Sequence, residues 1–401
     1  MTYSARTLAL GLGFFALAIF PSAFRMIFGA SSIRNGLMMG MVVFFVLAIP
    51  FGVRYFITSK IILVNLALLF AISFFHLMST LFYSDTDYVR VIGSVMLLLT
   101  MSFMSVIFVT TLDSLKADVF HKIILVGSHF LIFLGYLVVL LHFMSILPGK
   151  SLILFTEPSH YAICFVPFLF YATYTSSKDR YAMLYILFGV GLALILESLT
   201  LLVGCSMIIF LCFGRRFLIL ILMFAAVAVM SIVVDLGYFT QRLNMSSANE
   251  NLSTLVFLSG WERAYLSFTD SYGFGLGFNQ LGIVGPQGKL QLLIQNILDG
   301  PRLNVRDGGT LGSKLIAETG WLGLTLLIFY VFSSINILKN LIFRRLQGSK
   351  DVFFCGVFLI FSIEVFVRGM GYFSILSFLF LSSMYWIHRN KILKGRSVVC
   401  Q

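Results

Sequence analysis

The sequence predicts an all-α polytopic membrane protein with about twelve transmembrane helices and one large loop on the outer face. Three observations carry that expectation. First, hydrophobic residues make up 59% of the 401 and charged residues only 11%, at a mean hydropathy of +1.00. A soluble domain carries about 25% charged residues, and a globule must still meet water, so lipid is the simplest solvent for this excess. Second, apolar runs long enough to cross a hydrocarbon core of about 30 Å recur along the chain. Third, Lys and Arg gather in alternate connecting segments, as the positive-inside rule requires.

In order, the spans read as residues 7–24, 36–53, 61–82, 91–111, 123–147, 160–175, 181–197, 199–213, 217–236, 311–337, 352–369 and 371–387. The sixth to eighth are short and read as tilted, broken or re-entrant. With both termini inside, the cytoplasmic segments hold most of the basic residues, and the short outer loops hold only Arg25, Arg34, Arg90, Lys150 and Arg368. The net charge of +12 follows from that asymmetry and asks for no nucleic acid. The first apolar segment reads as an uncleaved helix rather than a signal peptide. None of the five cysteines forms a CxxC pair and the six histidines show no ligand spacing, so no disulfide framework, metal site or cofactor is expected.

These spans divide the chain into an N-terminal transmembrane bundle (1–236), a large outer loop (237–310) and C-terminal helices with a basic cytoplasmic tail (311–401). The loop is polar and rich in Gly, Asn and Ser, and a segment of that length without spanning capacity is usually functional or disordered. Leu290, Leu293, Ile294, Ile297 and Leu298 fall at helical spacing, which suggests a small subdomain resting on the membrane. Gly273-Phe274-Gly275-Leu276-Gly277 lacks the strand–helix context of a dinucleotide loop and reads as a tight turn near the bilayer. Gly11, Gly13, Gly189 and Gly191 read as close helix packing, and the Phe and Met stripes as core or lipid-facing surface.

Chemistry concentrates in a few places. Arg242, Arg263, Arg302 and Arg306 stand in the outer loop, with Lys289 and Lys314 nearby. One such arginine is ordinarily a solvated side chain, but a group of them beside the outer leaflet suits a lipid-linked phosphate or diphosphate, which the guanidinium fork binds in bidentate fashion. Glu157 precedes a helix that would start at Pro158, a favoured position for proline. Partly desolvated there, its carboxyl could have a raised pKa and serve as a general base; equally, it is a charge favoured by the helix dipole. Glu197, Glu318 and the pair Glu364 and Arg368 lie at membrane depth or its edge. Glu364 and Arg368, four apart, would share a helix face and could pair.

The arrangement resembles the Wzy O-antigen repeat-unit polymerases and, more distantly, the O-antigen ligases. The resemblance covers the hydropathy plan of nearly the whole chain and three motifs. Glu157-Pro158-Ser159-His160 is similar to the family's E-P-S. Trp261-Glu262-Arg263-Ala264-Tyr265 followed by Gly273–Gly277 is similar to the arginine-then-glycine stretch of the large periplasmic loop. Ala317-Glu318-Thr319-Gly320-Trp321-Leu322-Gly323 resembles the A-E-x-G-x-x-G that opens the following span. The ligases carry a His-Asn pair about ten residues before that glutamate, whereas here Arg306-Asp307-Gly308-Gly309-Thr310 has no histidine, which favours the polymerase.

The resemblance implies a metal-independent, inverting GT-C-type glycosyltransferase of the Gram-negative inner membrane, with its active site facing the periplasm. It implies transfer of a growing glycan from undecaprenyl diphosphate to the non-reducing end of a new lipid-linked repeat unit, with a Wzz-type co-polymerase as partner. On that reading Arg263 leads the residues that stabilise the leaving diphosphate, with Arg242 and Arg306 next, His160 close by, and Arg302 or Arg368 on the second diphosphate. Glu157 is the expected base, with Glu318 and Asp307 behind it. A ligase acting on lipid A-core and a flippase of lipid-linked sugars are the competing classes.

Overall fold

A computed structural model of the chain describes residues 5–28, 33–49, 59–146, 152–213, 251–300, 304–344 and 348–399. Among the described residues all regular structure is helical, apart from one isolated bridge between Leu281 and Val284. The helices are α1 (Ala5–Phe28), α2 (Ile33–Ala48), α3 (Ser59–Ser79), α4 (Tyr88–Asp113), α5 (Ala117–Phe143), α6 (Pro158–Thr175), α7 (Asp179–Ile195) and α8 (Leu199–Phe213). They continue with α9 (Leu252–Asp270), α10 (Lys289–Ile297), α11 (Leu311–Arg344), α12 (Ser349–Ile360), α13 (Ser362–Phe366) and α14 (Ile375–Val399). The expected span 217–236 lies outside the described residues.

Four of these helices contain segments long and apolar enough to cross a bilayer: Thr7–Phe24, Tyr88–Asp113, Ala117–Phe143 and Leu311–Ile342. Arg34–Ala48, Asn65–Ser79 and Leu199–Phe213 are apolar but shorter. The protein is therefore helical, with the apolar lengths of a membrane protein.

An aromatic core ties the bundle together. Phe108 of α4 meets Phe14 of α1 at 5.4 Å, Phe44 of α2 at 5.3 Å and Phe378 of α14 at 5.4 Å, while Phe353 of α12 bridges Phe120 of α5 and Phe168 of α6. Such tilted and edge-to-face pairs add to the area they bury. Some polar groups are matched between helices: Ser128 donates to the Phe168 carbonyl at 2.8 Å, and Asn65 accepts from Ser102 at 2.7 Å beside Tyr385. Gly13 lies against Phe44, and Gly189 against Leu169 and Cys205, so the close packing expected of those glycines is present. At one end of the bundle Asp113, in the last turn of α4, pairs with Arg389 at 2.7 Å, while Lys350 donates to its carbonyl.

The described part of the expected loop, 251–300 and 304–310, folds onto the start of α11. Asn251 caps α9 by accepting from the backbone of Ser253, and α9 packs along α11. The expected amphipathic helix is α10, but its buried side is narrower than the spacing suggested. Ile294 is fully buried against Leu255 and Val256, with Leu290 and Leu298 beside it, whereas Leu293 and Ile297 are exposed. Tyr265, Tyr272 and Trp321 are exposed in this region.

Two sequence motifs meet in this region. Leu276 and Gly277 donate to the carbonyls of Ala317 and Glu318, and Trp321 donates to the Gly273 carbonyl at 2.8 Å. Gly320 kinks α11 with φ of +53°, and a Cβ there would collide with that same carbonyl. The glycine run and the Ala317–Gly323 motif are thus two halves of one backbone clip.

The expected eleventh span is not a single helix. It breaks at Phe361 between α12 and α13, ends at Phe366, and continues as an irregular strap to Ser374. Glu364 and Arg368 consequently share no helix face and do not pair. Glu364, fully buried, accepts instead from Ser374 Oγ at 2.7 Å and from the Met370 backbone at 3.3 Å.

Candidate functional site

A cavity of about 720 Å³ opens at the end of the bundle where α2, α4 and α6 begin, lined also by the segment before α11 and by the strap. Its size is that of a small-molecule pocket, yet its lining is charged. Arg34, Arg90, Arg306, Lys314 and Arg368 face it, against the carboxylates Asp87, Glu157 and Asp307, with His160, Asn279 and Asn304 between them.

Each side chain is placed by its own local structure. Arg34 and Arg90 stand in the first turns of α2 and α4, and Asp87 caps α4 by accepting from the Arg90 backbone at 2.9 Å. Gln280 fixes that turn, accepting from the Asp87 N–H at 2.9 Å and donating to its carbonyl. Glu157 is the N-cap of α6, which begins at Pro158 as the sequence suggests. His160, one turn in, has its Nδ1 2.6 Å from Thr156 Oγ1. Arg306 and Asp307 project from the turn that ends the outer loop. Lys314, on the first turn of α11, donates to the Arg306 carbonyl at 2.6 Å and to Asn279 Oδ1 at 3.2 Å.

The electrostatics are those of a site short of negative charge. Five cations face three carboxylates across the cavity, and Arg34 and Arg306 both bear on Arg90 as like charges. The buried Nε of Arg90 has no hydrogen-bond partner among the described residues. One firm ion pair crosses the lining: Arg368 Nη2 lies 3.1 Å from Glu157 Oε2, between residues 211 apart in sequence.

That pair corrects an expectation. Burial, the largest single influence, raises the Glu157 carboxyl, but the groups around it together outweigh burial, the Arg368 guanidinium foremost among them. With His160 and hydrogen bonds from Ser159 and Arg368, it holds the carboxyl below the ordinary carboxylate value. Glu157 is an ionised, paired group in this state, not a carboxylic acid with a raised pKa.

Of the residues singled out from sequence, Glu157, His160, Arg306, Asp307 and Arg368 converge on the cavity. Arg242 and Arg302 lie outside the described residues. Arg263 and Glu318 are elsewhere. Arg263 is only 4% exposed on α9 and donates to the Val305 carbonyl at 2.7 Å, so it shapes the turn that carries Arg306 without lining the cavity. Glu318 is fully buried: its two oxygens accept from the backbones of Asn279 and Leu281 at 2.8 and 2.9 Å, and Lys314 lies 3.8 Å away. It holds Asn279 and Lys314 in place from behind.

Sequence reasoning passed over Arg34, Arg90 and Asn279 as members of the site, and named Lys314 only as a neighbour of the loop arginines. A signal for the first two was present. Arg34, Arg90 and Arg368 are exceptions to the charge pattern expected of the predicted outer loops, and all three line this cavity. Basic residues that depart from the expected charge pattern mark the site better than membership of an arginine-rich segment does.

No protein-family model matches this chain, and no curated protein matches it.

Proposed function

We propose that this protein is an O-antigen polymerase of the Wzy type. It spans the Gram-negative inner membrane with about twelve helices in a GT-C-type arrangement, both termini in the cytoplasm and the arginine cavity facing the periplasm. The observation that carries the reading is the gathering of Arg34, Arg90, Arg306, Lys314 and Arg368 around one cavity, at the end of the bundle where α2, α4 and α6 begin. A lipid-linked diphosphate brings the negative charge that this lining lacks, and its polyprenyl chain suits the apolar helices below.

The reaction places particular demands on those side chains. A hydroxyl at the non-reducing end of the incoming repeat unit attacks the anomeric carbon of the growing chain. The bond from that carbon to the undecaprenyl diphosphate oxygen breaks, the electron pair leaves with the diphosphate, and the anomeric configuration inverts. Preorganised cations aimed at the departing oxygens stabilise the charge that develops there. Arg306, Arg90 and Arg34 serve that role in this reading, and no metal ion is invoked.

The attacking hydroxyl loses its proton to Glu157. A diphosphate drawing Arg368 toward itself loosens the ion pair and leaves burial as the dominant influence on the carboxylate, so that substrate binding makes Glu157 the stronger base. Asp307 also lines the cavity and is the alternative base. A Wzz-type co-polymerase would set chain length.

The test is deletion of the gene in its own strain, complemented by the wild type or by Arg306→Ala at equal expression, with the lipopolysaccharide ladder read on a gel. A single core-plus-one-repeat band in the deletion and in Arg306→Ala supports the reading. Core alone, with polymer accumulating on undecaprenyl diphosphate, would mean a ligase. An unchanged ladder would point to another glycan or to transport of lipid-linked sugars.

A further inference from the structure

A second cavity, of about 560 Å³, lies between α5, α6 and α7. His160 at the start of α6 lines the arginine cavity, whereas Thr175 at its end lines this one. Fifteen residues of helix separate them by about 22 Å, so the two sit at opposite ends of the bundle. Nothing in the transfer reaction uses the second.

Its lining is divided by polarity. Toward the helix ends are Thr175, Ser176, Ser177 and Tyr181; along the walls are Leu125, Ile132, Phe133, Leu184 and Phe188. Phe133 is 62% exposed and Leu184 and Phe188 nearly half, so the apolar part opens sideways between α5 and α7 rather than into the core. In a bilayer that opening meets acyl chains, and a water-soluble ligand would have to pass through lipid to reach it.

The polar mouth carries a placed cation. Arg180 lies 5.0 Å over the Tyr181 ring and donates to its hydroxyl at 3.3 Å, which holds the guanidinium at the rim. Lys178 flanks the same turn, and the acidic Asp118 and Asp179 sit in helix first turns, where the backbone dipole favours them. Deeper in, the wall carries two polar pairs: His121 Nδ1 lies 2.9 Å from the Tyr171 hydroxyl and His129 Nε2 lies 2.7 Å from that of Tyr185. Polar groups at membrane depth are costly against plain hydrocarbon and normally face a cavity or a polar partner. A cation at the mouth, hydrogen-bonding groups below it and an apolar trough beyond match the phosphate, ester linkages and acyl chain of a glycerophospholipid in that order.

We propose that this cleft binds one anionic glycerophospholipid of the cytoplasmic leaflet, its phosphate at Arg180 and an acyl chain along Phe133, Leu184 and Phe188. The inference rests on the membrane placement and orientation proposed above, but not on the glycosyl transfer.

The test uses the purified full-length chain in detergent and native mass spectrometry. The protein is offered equimolar phosphatidylglycerol and phosphatidylcholine with identical acyl chains. Wild type should retain one phosphatidylglycerol with about fivefold preference, the scale of one basic residue acting at an anionic headgroup. Arg180→Ala should bring the preference close to onefold, and Leu184→Trp with Phe188→Trp, which fills the trough, should abolish retention of either lipid. Equal retention of both lipids by wild type, or an unchanged preference in Arg180→Ala, overturns the proposal. So does loss of preference in Arg306→Ala, because the anion would then have been held at the other end. Alkaline carbonate extraction separates failure of this inference from failure of the membrane reading: a chain released from membranes sinks both, and a retained chain without lipid preference sinks only this one.

Discussion

Arg368→Ala separates the energetic and functional roles of the ion pair in the cavity lining. The substitution removes the 3.1 Å contact with Glu157, in which the two side chains are 22% and 48% exposed. Solvent at those exposures screens the attraction, so the pair contributes at most about 1 kcal/mol to stability. Thermal unfolding in detergent should therefore move by no more than about 2 °C. The functional cost is larger. An arginine that takes up a substrate diphosphate and so frees Glu157 to act as base is worth on the order of 10²-fold in rate, the lower end of what a positioned general base supplies. With wild-type expression, Arg368→Ala should leave the ladder collapsed to short products, and Arg368→Lys, which keeps the charge but loses the fork, should be intermediate. Full-length polymer from Arg368→Ala would refute both the diphosphate site and the proposed release of Glu157. A large drop in melting temperature would show that the residue is mainly structural.

Other outcomes follow from the same geometry. In a reconstituted assay the acid limb of kcat/KM, which reports the free enzyme, should fall below the ordinary carboxylate value of 4.5, since the pair keeps Glu157 ionised until the pH drops through its lowered pKa. The acid limb of kcat should lie higher, because bound diphosphate competes for Arg368; coincident limbs would mean that Arg368 stays on Glu157 throughout. Arg263→Ala should cost about 2 kcal/mol of stability and lose activity with it, since it removes the guanidinium's hydrogen bond to the part-buried Val305 carbonyl, whereas Arg306→Ala should lose activity at unchanged melting temperature. Gly320→Ala should destabilise by at least about 2 kcal/mol, measured by unfolding in detergent, because a Cβ at φ of +53° meets the Gly273 carbonyl.

Much of the framework was legible in the sequence because it depends on local pattern. Hydropathy over a window of helix length anticipated most of the described helices outside 251–300, and the proline after Glu157 marked the start of α6. Spacing along α10 correctly gave a helix, but it could not say that Leu293 and Ile297 would stay exposed while Ile294 alone became fully buried, since that depends on how α9 lies beside it. The eleventh span shows the same limit: a continuous apolar run reads as one helix, and only packing made it break at Phe361 and return as part of the cavity lining.

Charge was legible as number and side, not as role. Arg263 and Arg306 look equivalent in an arginine-rich loop, but one is buried on a backbone carbonyl and the other faces the cavity. Glu364 and Arg368 stand four apart and still choose other partners, Ser374 and Glu157. Sequence by itself determined the helical membrane class, because burial in lipid acts on each segment separately. The tertiary structure decided which charges meet, because Arg34, Arg90, Glu157, Arg306 and Arg368 come from distant segments and only the packed helix ends bring them around one cavity.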